Sequence, residues 1–367
     1  MNTNDFMQSG SFRRNERDLS ERELTGPVDL GRASELKIDR SLYLEAESRG
    51  MTLSELLETP EYDPSATDSP LDAFERQLAL AGIRLGGKNP TTVDQFYQRA
   101  SSLMPEFVLR EIKRGQGMRP ELNRLIANST TVANNRYTPF NVDTSGGAGL
   151  SLRPLGEGAE IPQVLVTEQN HAINVPEYGL GLKASYKALR YRTTAQFRVL
   201  LWYIGFRLQT DKIAMIVDTI INGDGNDNAA EVVNAGASGS LEYDDLIALW
   251  AEFAPFEMNT IVTHVNNLKT IMTLDEFKDP MAGYRFQSKG ELFSPLGAAL
   301  VRCDEAPSDL VIGLDSRFAV EEVVTQPLMV EYDKIIEQRF EEAVVSESVA
   351  YARVIKEAAV VLDTVFS

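Results

Sequence analysis

The sequence predicts an α+β fold in two domains. Two observations carry that prediction. Residues 193–222 read as one helix of roughly 45 Å, far longer than a usual globular helix. From residue 240 onward, helical and strand-like stretches alternate without the regular beat of a doubly wound sheet, and no internal repeat is present.

The long helix has clear ends. Thr193 or Thr194 can cap its start, and NGDG at 222–225 stops it. It carries two apolar seams. Phe197, Leu201, Ile204, Leu208 and Met215 step by threes and fours along one side; Val199, Trp202, Phe206, Ile213, Val217 and Ile220 do so along the other. Arg198, Gln209 and Lys212 separate the seams on one flank, and Arg207, Asp211 and Asp218 on the other. A helix wet on one face has no need of a second seam. This one is expected to be sandwiched between its own sheet and another layer or subunit; a monomer's central helix or a coiled coil is the plainer alternative.

The totals set the class. The chain has 367 residues, 43% of them hydrophobic, enough to bury real cores in two or three domains. A net charge of −18 opposes a surface that grips phosphate backbones or anionic lipid. Cys303 is the single cysteine, so there is no intramolecular disulfide, which fits a reducing compartment. Residues 1–30 lack a signal-peptide pattern, and the longest apolar run, 199–206, is too short to span a bilayer.

In chain order, 1–25 is a polar tail, 33–48 a surface helix, and Thr52 with Glu55 a capping box. A proline-rich linker at 59–70 leads to a helix opened by Ser69 and Pro70; Thr91 or Thr92 opens the next, and 105–113 and 120–127 are shorter ones. This first third has few large apolar residues, so it is expected to dock on something rather than hold a strong core. Residues 128–162 read as an extended arm, and 161–166 with 172–184 as a two-stranded ribbon turning at 168–170. A Gly/Asn/Ala/Ser-rich connection follows the long helix to Gly239. Ser240 caps a helix with Leu246, Leu249, Trp250 and Phe253 facing inward. Strands are expected at 259–263, 298–303, 309–314, 318–323, 328–332, 349–355 and 359–362, with a helix at 265–274.

Catalytic patterns are missing. His171 and His264 lie in no metal-binding spacing, and G-x-S-x-G, H-E-x-x-H and P-loop patterns do not occur. The glycines of 145–158, and Gly179 with Gly181, lack the context of a phosphate cradle. Asp224 to Asn228 lacks the later residues of a calcium loop. The pairs Glu321–Glu322 and Glu341–Glu342 read as solvated or charge-tuned surface. No catalytic, cofactor-binding or metal site is expected, and the chain is read as a non-enzyme.

The order of parts resembles a known family. An arm leads to EGAEIP at 157–162; a ribbon and a long helix ending in NGDG follow; then come LIALW at 246–250, NTIVT at 259–263 and a strand-rich end. This is similar to the major capsid proteins of tailed bacteriophages, with the Hong Kong 97-like capsid fold, over residues 128–367. The resemblance implies a helical scaffold-like region at 1–127, which a maturation protease removes in some members, an N-terminal arm at 128–154 and an extended loop at 155–187. It further implies a peripheral domain with the spine helix at 188–239, an axial domain at 240–323 and peripheral-domain strands at 324–367. The implied function is a subunit that forms hexamers and pentamers in an icosahedral shell around phage double-stranded DNA. Portal, maturation protease and decoration protein are implied partners, and the virion, assembled in the host cytoplasm, the implied location. Glu157, Glu160, Lys183, Lys187, Arg198 and Arg207 are the candidate intersubunit contacts. Some members cross-link a loop lysine to a late asparagine. Lys183 or Lys187 could supply the lysine, but the last asparagine here is Asn267, so a non-covalent or decorated shell is expected. An encapsulin-like nanocompartment shell is the alternative, disfavoured by the N-terminal helical region; an acidic enzyme with an unrecognised site is a third.

Overall fold

The structure, a computed structural model, describes residues 36–63, 71–87, 89–142, 154, 166–185, 188, 191–278, 296–335 and 340–366. The chain divides into two compact units. The first holds Met1–Glu111, Leu182–Leu201 and Val330–Ala343; the second holds Ile112–Gly181, Trp202–Met329 and Val344–Ser367. The helices are α1 (Arg40–Ser48), α2 (Leu53–Leu57), α3 (Ala73–Leu80), α4 (Val93–Ala100), α5 (Met104–Gly117), α6 (Thr194–Asn222), α7 (Tyr243–Ala251), α8 (Val265–Thr273) and α9 (Asp275–Lys278). The strands are β1 (Asn128–Thr131), β2 (Arg136–Tyr137), β3 (Phe140–Val142), β4 (Val166–Glu168), β5 (Ile173–Asn174), β6 (Glu177–Ser185), β7 (Glu231–Asn234), β8 (Thr260–Thr263), β9 (Ala299–Arg302), β10 (Leu310–Leu314), β11 (Val320–Ile335), β12 (Phe340–Arg353) and β13 (Ala359–Asp363).

In the first unit, short helices are each fixed by a side chain that satisfies free amides. Thr52 and Glu55 form the expected capping box on α2, and Thr92 with Gln95 another on α4. The start expected at Ser69 and Pro70 falls outside the described residues. The cap of α3 is Asp72, reciprocated by Glu75. The weak core expected of the first third is corrected: Leu53, Leu56, Leu57, Phe74, Leu78, Val93, Phe96, Phe107 and Val108 are all buried. Phe96 and Phe107 pack with ring centroids 5.2 Å apart. A fully buried Arg76 pairs with Asp63 at 2.6 Å and donates to the Leu71 carbonyl. Each short helix contributes only one small apolar face, which is why no single stretch of sequence announced a core.

The second unit is built on a five-stranded sheet of order β7-β13-β10-β8-β9. Antiparallel pairs join β10 to β13 and to β8; parallel pairs join β13 to β7 and β8 to β9. Alternate residues serve opposite faces. Val262, Val301, Ile312 and Val361 pack with Ile213, Ile216, Val217 and Ile220 of α6. Their neighbours Ile261, Leu300, Val311, Val360 and Leu362 pack with Leu246, Leu249 and Phe253, and with Leu268 and Ile271 of α8. Both faces are covered, so these strands read as continuous apolar runs. The strands after residue 324 therefore do not form one set: β13 lies between β7 and β10, with the strands of 240–323. Strand β7 sits in a stretch read as a loop, because EVVN is short and its partner β13 is distant in sequence. On α7 the cap is Glu242, boxed with Asp245, rather than Ser240. Trp250, at the margin of the inward stripe, is 50% exposed instead of facing in.

A second sheet has the order β1-β11-β12-β6. The stretches expected as separate strands at 318–323 and 328–332 are one strand, β11, running through Pro327. Of the expected ribbon, residues 161–165 lie outside the described residues; in the described part β4 lies against β3 and β5 against β2, with Phe140 opposite Glu168 and Tyr137 opposite Ile173. The polar turn at 168–170 suggested a local hairpin, and residues 136–142 supply partners on either side of it. The arm does not hang free at its start, since β1 pairs in parallel with β11, Asn128 opposite Glu321 and Ser129 opposite Glu322. The acidic pair is not solvated surface. Glu321 accepts from Thr130 and from the Tyr137 hydroxyl at 2.8 Å. Glu322, on the other face, accepts from Ser129 at 2.8 Å and from Tyr351 at 3.4 Å. Lys212 of α6 reaches Glu347 at 2.9 Å and Glu322 at 3.9 Å.

Two outcomes follow from this packing. Leu125, fully buried against α6, is expected to cost about 2–5 kcal/mol when cut to alanine, measured by denaturant unfolding. Burial first, then the Glu321 bond and charge, push the Tyr137 hydroxyl up from 10.0 to about 12. Because the folded value is raised, the neutral phenol's contribution is complete below pH 10.0 and is lost as pH rises toward about 12. Ultraviolet titration of the folded chain should show a late tyrosine that Tyr137→Phe removes.

Candidate assembly surface

The long helix α6 is closed at its start by Thr193 and Gln196, which accept from each other's backbone amides at 3.3 Å. It ends at Asn222, where Gly223 takes φ 77°. Its two seams are used in succession. The first is buried early, at Leu201 and Ile204; the second is buried late, at Ile213, Val217 and Ile220. In the early part of the second seam Trp202 is half-buried, while Val199 is 59% exposed and Phe206 is open. Tyr203, 61% exposed, and Leu200 belong to neither seam and are open beside them. Within the chain itself, the late part of the helix is packed against the five-stranded sheet and against Leu122 and Leu125. The Arg119 guanidinium stands 5.2 Å from the Phe206 ring and donates to Thr210 at 2.6 Å.

The candidate charged contacts part company. Arg198 pairs at 3.0 Å with the buried carboxylate of Glu111, so it is committed within the first unit rather than offered outward. Arg207 is half exposed and reaches Asp211 at 3.4 Å and Glu305 at 3.6 Å. Lys183 lies exposed on β6. Glu157, Glu160 and Lys187 lie outside the described residues. Arg198 and Arg207 flank the seams alike in sequence; only the position of Glu111 tells them apart.

Other apolar surface was not singled out in the sequence. Phe140 and Val166 are exposed diagonal neighbours on one face of the β3–β4 ladder. Tyr178 and Leu180 are exposed on β6, and Ile247 and Trp250 lie three residues apart on the outer side of α7. Of the last pair, Ile247 was legible as an apolar residue outside the inward stripe, whereas Trp250 was expected within it. Strand β7 is a sheet edge with Val232 exposed. Surface of this kind serves association.

Among the described residues, no group of three His, Cys, Asp or Glu could hold a metal ion, and no helix is long and apolar enough to cross a membrane. His264 caps α8, its Nδ1 accepting from the Asn266 amide at 3.2 Å. Cys303 is buried, and burial pushes its thiol up, away from the reactive thiolate.

No family model and no curated protein matches the sequence. Among solved structures, the capsid of a native GTA particle aligns with a TM-score of 0.50 at 16% identity, covering 66% of this chain and 89% of that one. A virus-like particle from Pyrococcus furiosus aligns with a TM-score of 0.49 at 14% identity, covering 71% and 97%. The holo-SrpI encapsulin from Synechococcus elongatus PCC 7942 aligns at 0.46 and 14% identity, covering 67% and 87%. With its long helix, its two larger sheets and the first of these matches, the chain has the α+β Hong Kong 97-like capsid fold.

Proposed function

We propose that the chain is the structural subunit of a phage capsid. Copies assemble as hexamers and pentamers into an icosahedral shell around double-stranded DNA. The observation that carries this reading is the bare apolar face of α6, on a capsid fold: Val199, Leu200, Tyr203 and Phe206 stand in water in the single chain. Association removes that surface from water. In this reading 128–154 is the arm, 155–187 the extended loop that lies on a neighbour, and 240–323 the axial domain whose loops meet at the symmetry axes. Lys183 and Arg207, together with Glu157, Glu160 and Lys187, are the proposed charged contacts between subunits. The excess of acid keeps packaged DNA from adsorbing to the wall. A portal and a decoration protein are proposed partners, and the virion the location, after assembly in the host cytoplasm.

The shell is proposed to be non-covalent. The last asparagine, Asn267, is buried and its Nδ2 donates to the Leu310 carbonyl at 3.1 Å, so it is withheld from a lysine of another subunit. Denaturing gels of purified particles are expected to show a monomer band; a ladder above it refutes this part.

The main test is assembly itself. Full-length protein should form closed particles under negative stain. The double variant Val199→Asp, Tyr203→Glu should remain unassembled, while its unfolding free energy moves by no more than about 0.5 kcal/mol per site, as for surface changes. Compact monomers from the unaltered chain at every concentration and salt would end the reading. Neighbouring genes for a terminase and a portal support the phage shell; a cargo enzyme gene in their place favours the encapsulin-like alternative.

A further inference from the structure

We infer that the N-terminal helical segment, at least residues 91–125, is a permanent part of the subunit and not a removable scaffold. Any processing cut that leaves a folded subunit then lies before residue 91. The inference rests on packing inside each unit and is independent of the shell reading.

In the second unit the segment is core. Leu122 and Leu125 belong to the same buried cluster as Ile213, Ile216, Val217 and Ile220. The end of α5 crosses α6 at backbone contact. A Cβ on Gly115 would overlap the carbonyl oxygen of Trp202, and one on Gly205 that of Ile112. Two facing glycines bring the helices closer than any side chain allows, so this crossing has one geometry and no slack. Arg119 fastens the same place, donating to Thr210 at 2.6 Å and to the Arg302 carbonyl at 3.0 Å. The Ala127 amide then donates to Val320 at 2.8 Å, leading the chain into β1.

In the first unit the segment is joined to the start of α6 by main chain. The Val93 amide donates to Arg192 at 3.0 Å, and the Thr194 amide to Thr91 at 2.9 Å. Thr92 and Thr193 form an isolated bridge, and Glu111 holds Arg198. Removing residues before 128 would bare Ile213, Ile216, Val217 and Ile220, and leave Arg198 beside an empty site. A scaffold that departs intact must leave a folded remainder behind, and these contacts do not allow one.

Hydrogen exchange on the full chain tests this without needing particles. Backbone amides of Met104–Gly117 and Thr194–Asn222 are expected to share one opening equilibrium and to lose protection at the same denaturant concentration. Limited proteolysis should trim the chain no further than about residue 91 before it unfolds. A stable fragment beginning between residues 118 and 140, with α6 still protected, overturns the inference. A second variant guards against a misleading result. Gly205→Leu in the full chain should lower protection at least tenfold in both helices; loss confined to residues 36–117, with the remainder unchanged, also overturns it. Should the unaltered chain form no particles in the same preparation, that counts against the shell reading and leaves the exchange result intact.

Discussion

A helix of 29 residues that is apolar on two sides cannot stand in water; everything else in this fold answers that constraint. The answer changes along its length. In the second unit, the late part of one seam lies on the five-stranded sheet and on Leu122 and Leu125. In the first unit, the early part of the other seam is buried and the helix start is bonded to the stretch before α4. Val199 in the first unit and Tyr203 in the second remain exposed.

The five-stranded sheet shows how one set of strands serves two cores. Because side chains alternate, Val311 and Ile312, or Val360 and Val361, send neighbouring residues to opposite layers. Two buried charged groups show opposite balances of burial and pairing. Asp315 is fully buried; burial pushes its carboxyl up, but hydrogen bonds from Arg317, the Glu257 amide and the Arg317 amide outweigh it and hold the group below its ordinary range. Arg353 is the opposite case, its guanidinium pulled down to about 10 by burial, against the favourable charges of Asp224 and Glu357.

Local signals in the sequence were sufficient for some elements. The ends of α6, the Thr52–Glu55 and Thr92–Gln95 boxes, and the TIVT strand are each set by residues within a few positions of one another. Non-local pairing was not legible. Residues 166–174 carry the same alternation whether they pair with a later stretch or with 136–142, and EVVN becomes a strand only because β13 lies beside it. Of the candidate site, the two seams pointed to α6, but periodicity alone could not say which half of each seam stays in water. Nor could the charge pattern separate Arg198 from Arg207, since the deciding carboxylate, Glu111, is far away in sequence.

The adjacent acids Glu321 and Glu322 have a mechanical consequence. Successive residues of a strand point to opposite sides, so the dipeptide clasps β1 from above and below at once, through Thr130 and Ser129. A strap held on both sides resists peeling more than one held on a single side. The strap stays fastened beyond Thr131: the Val132 amide donates to the Val324 carbonyl at 2.9 Å, and the Tyr137 hydroxyl returns to Glu321 at 2.8 Å. One carboxylate, Glu321, thus holds two points of the arm seven residues apart, at Thr130 and at Tyr137, and pins the bend between them.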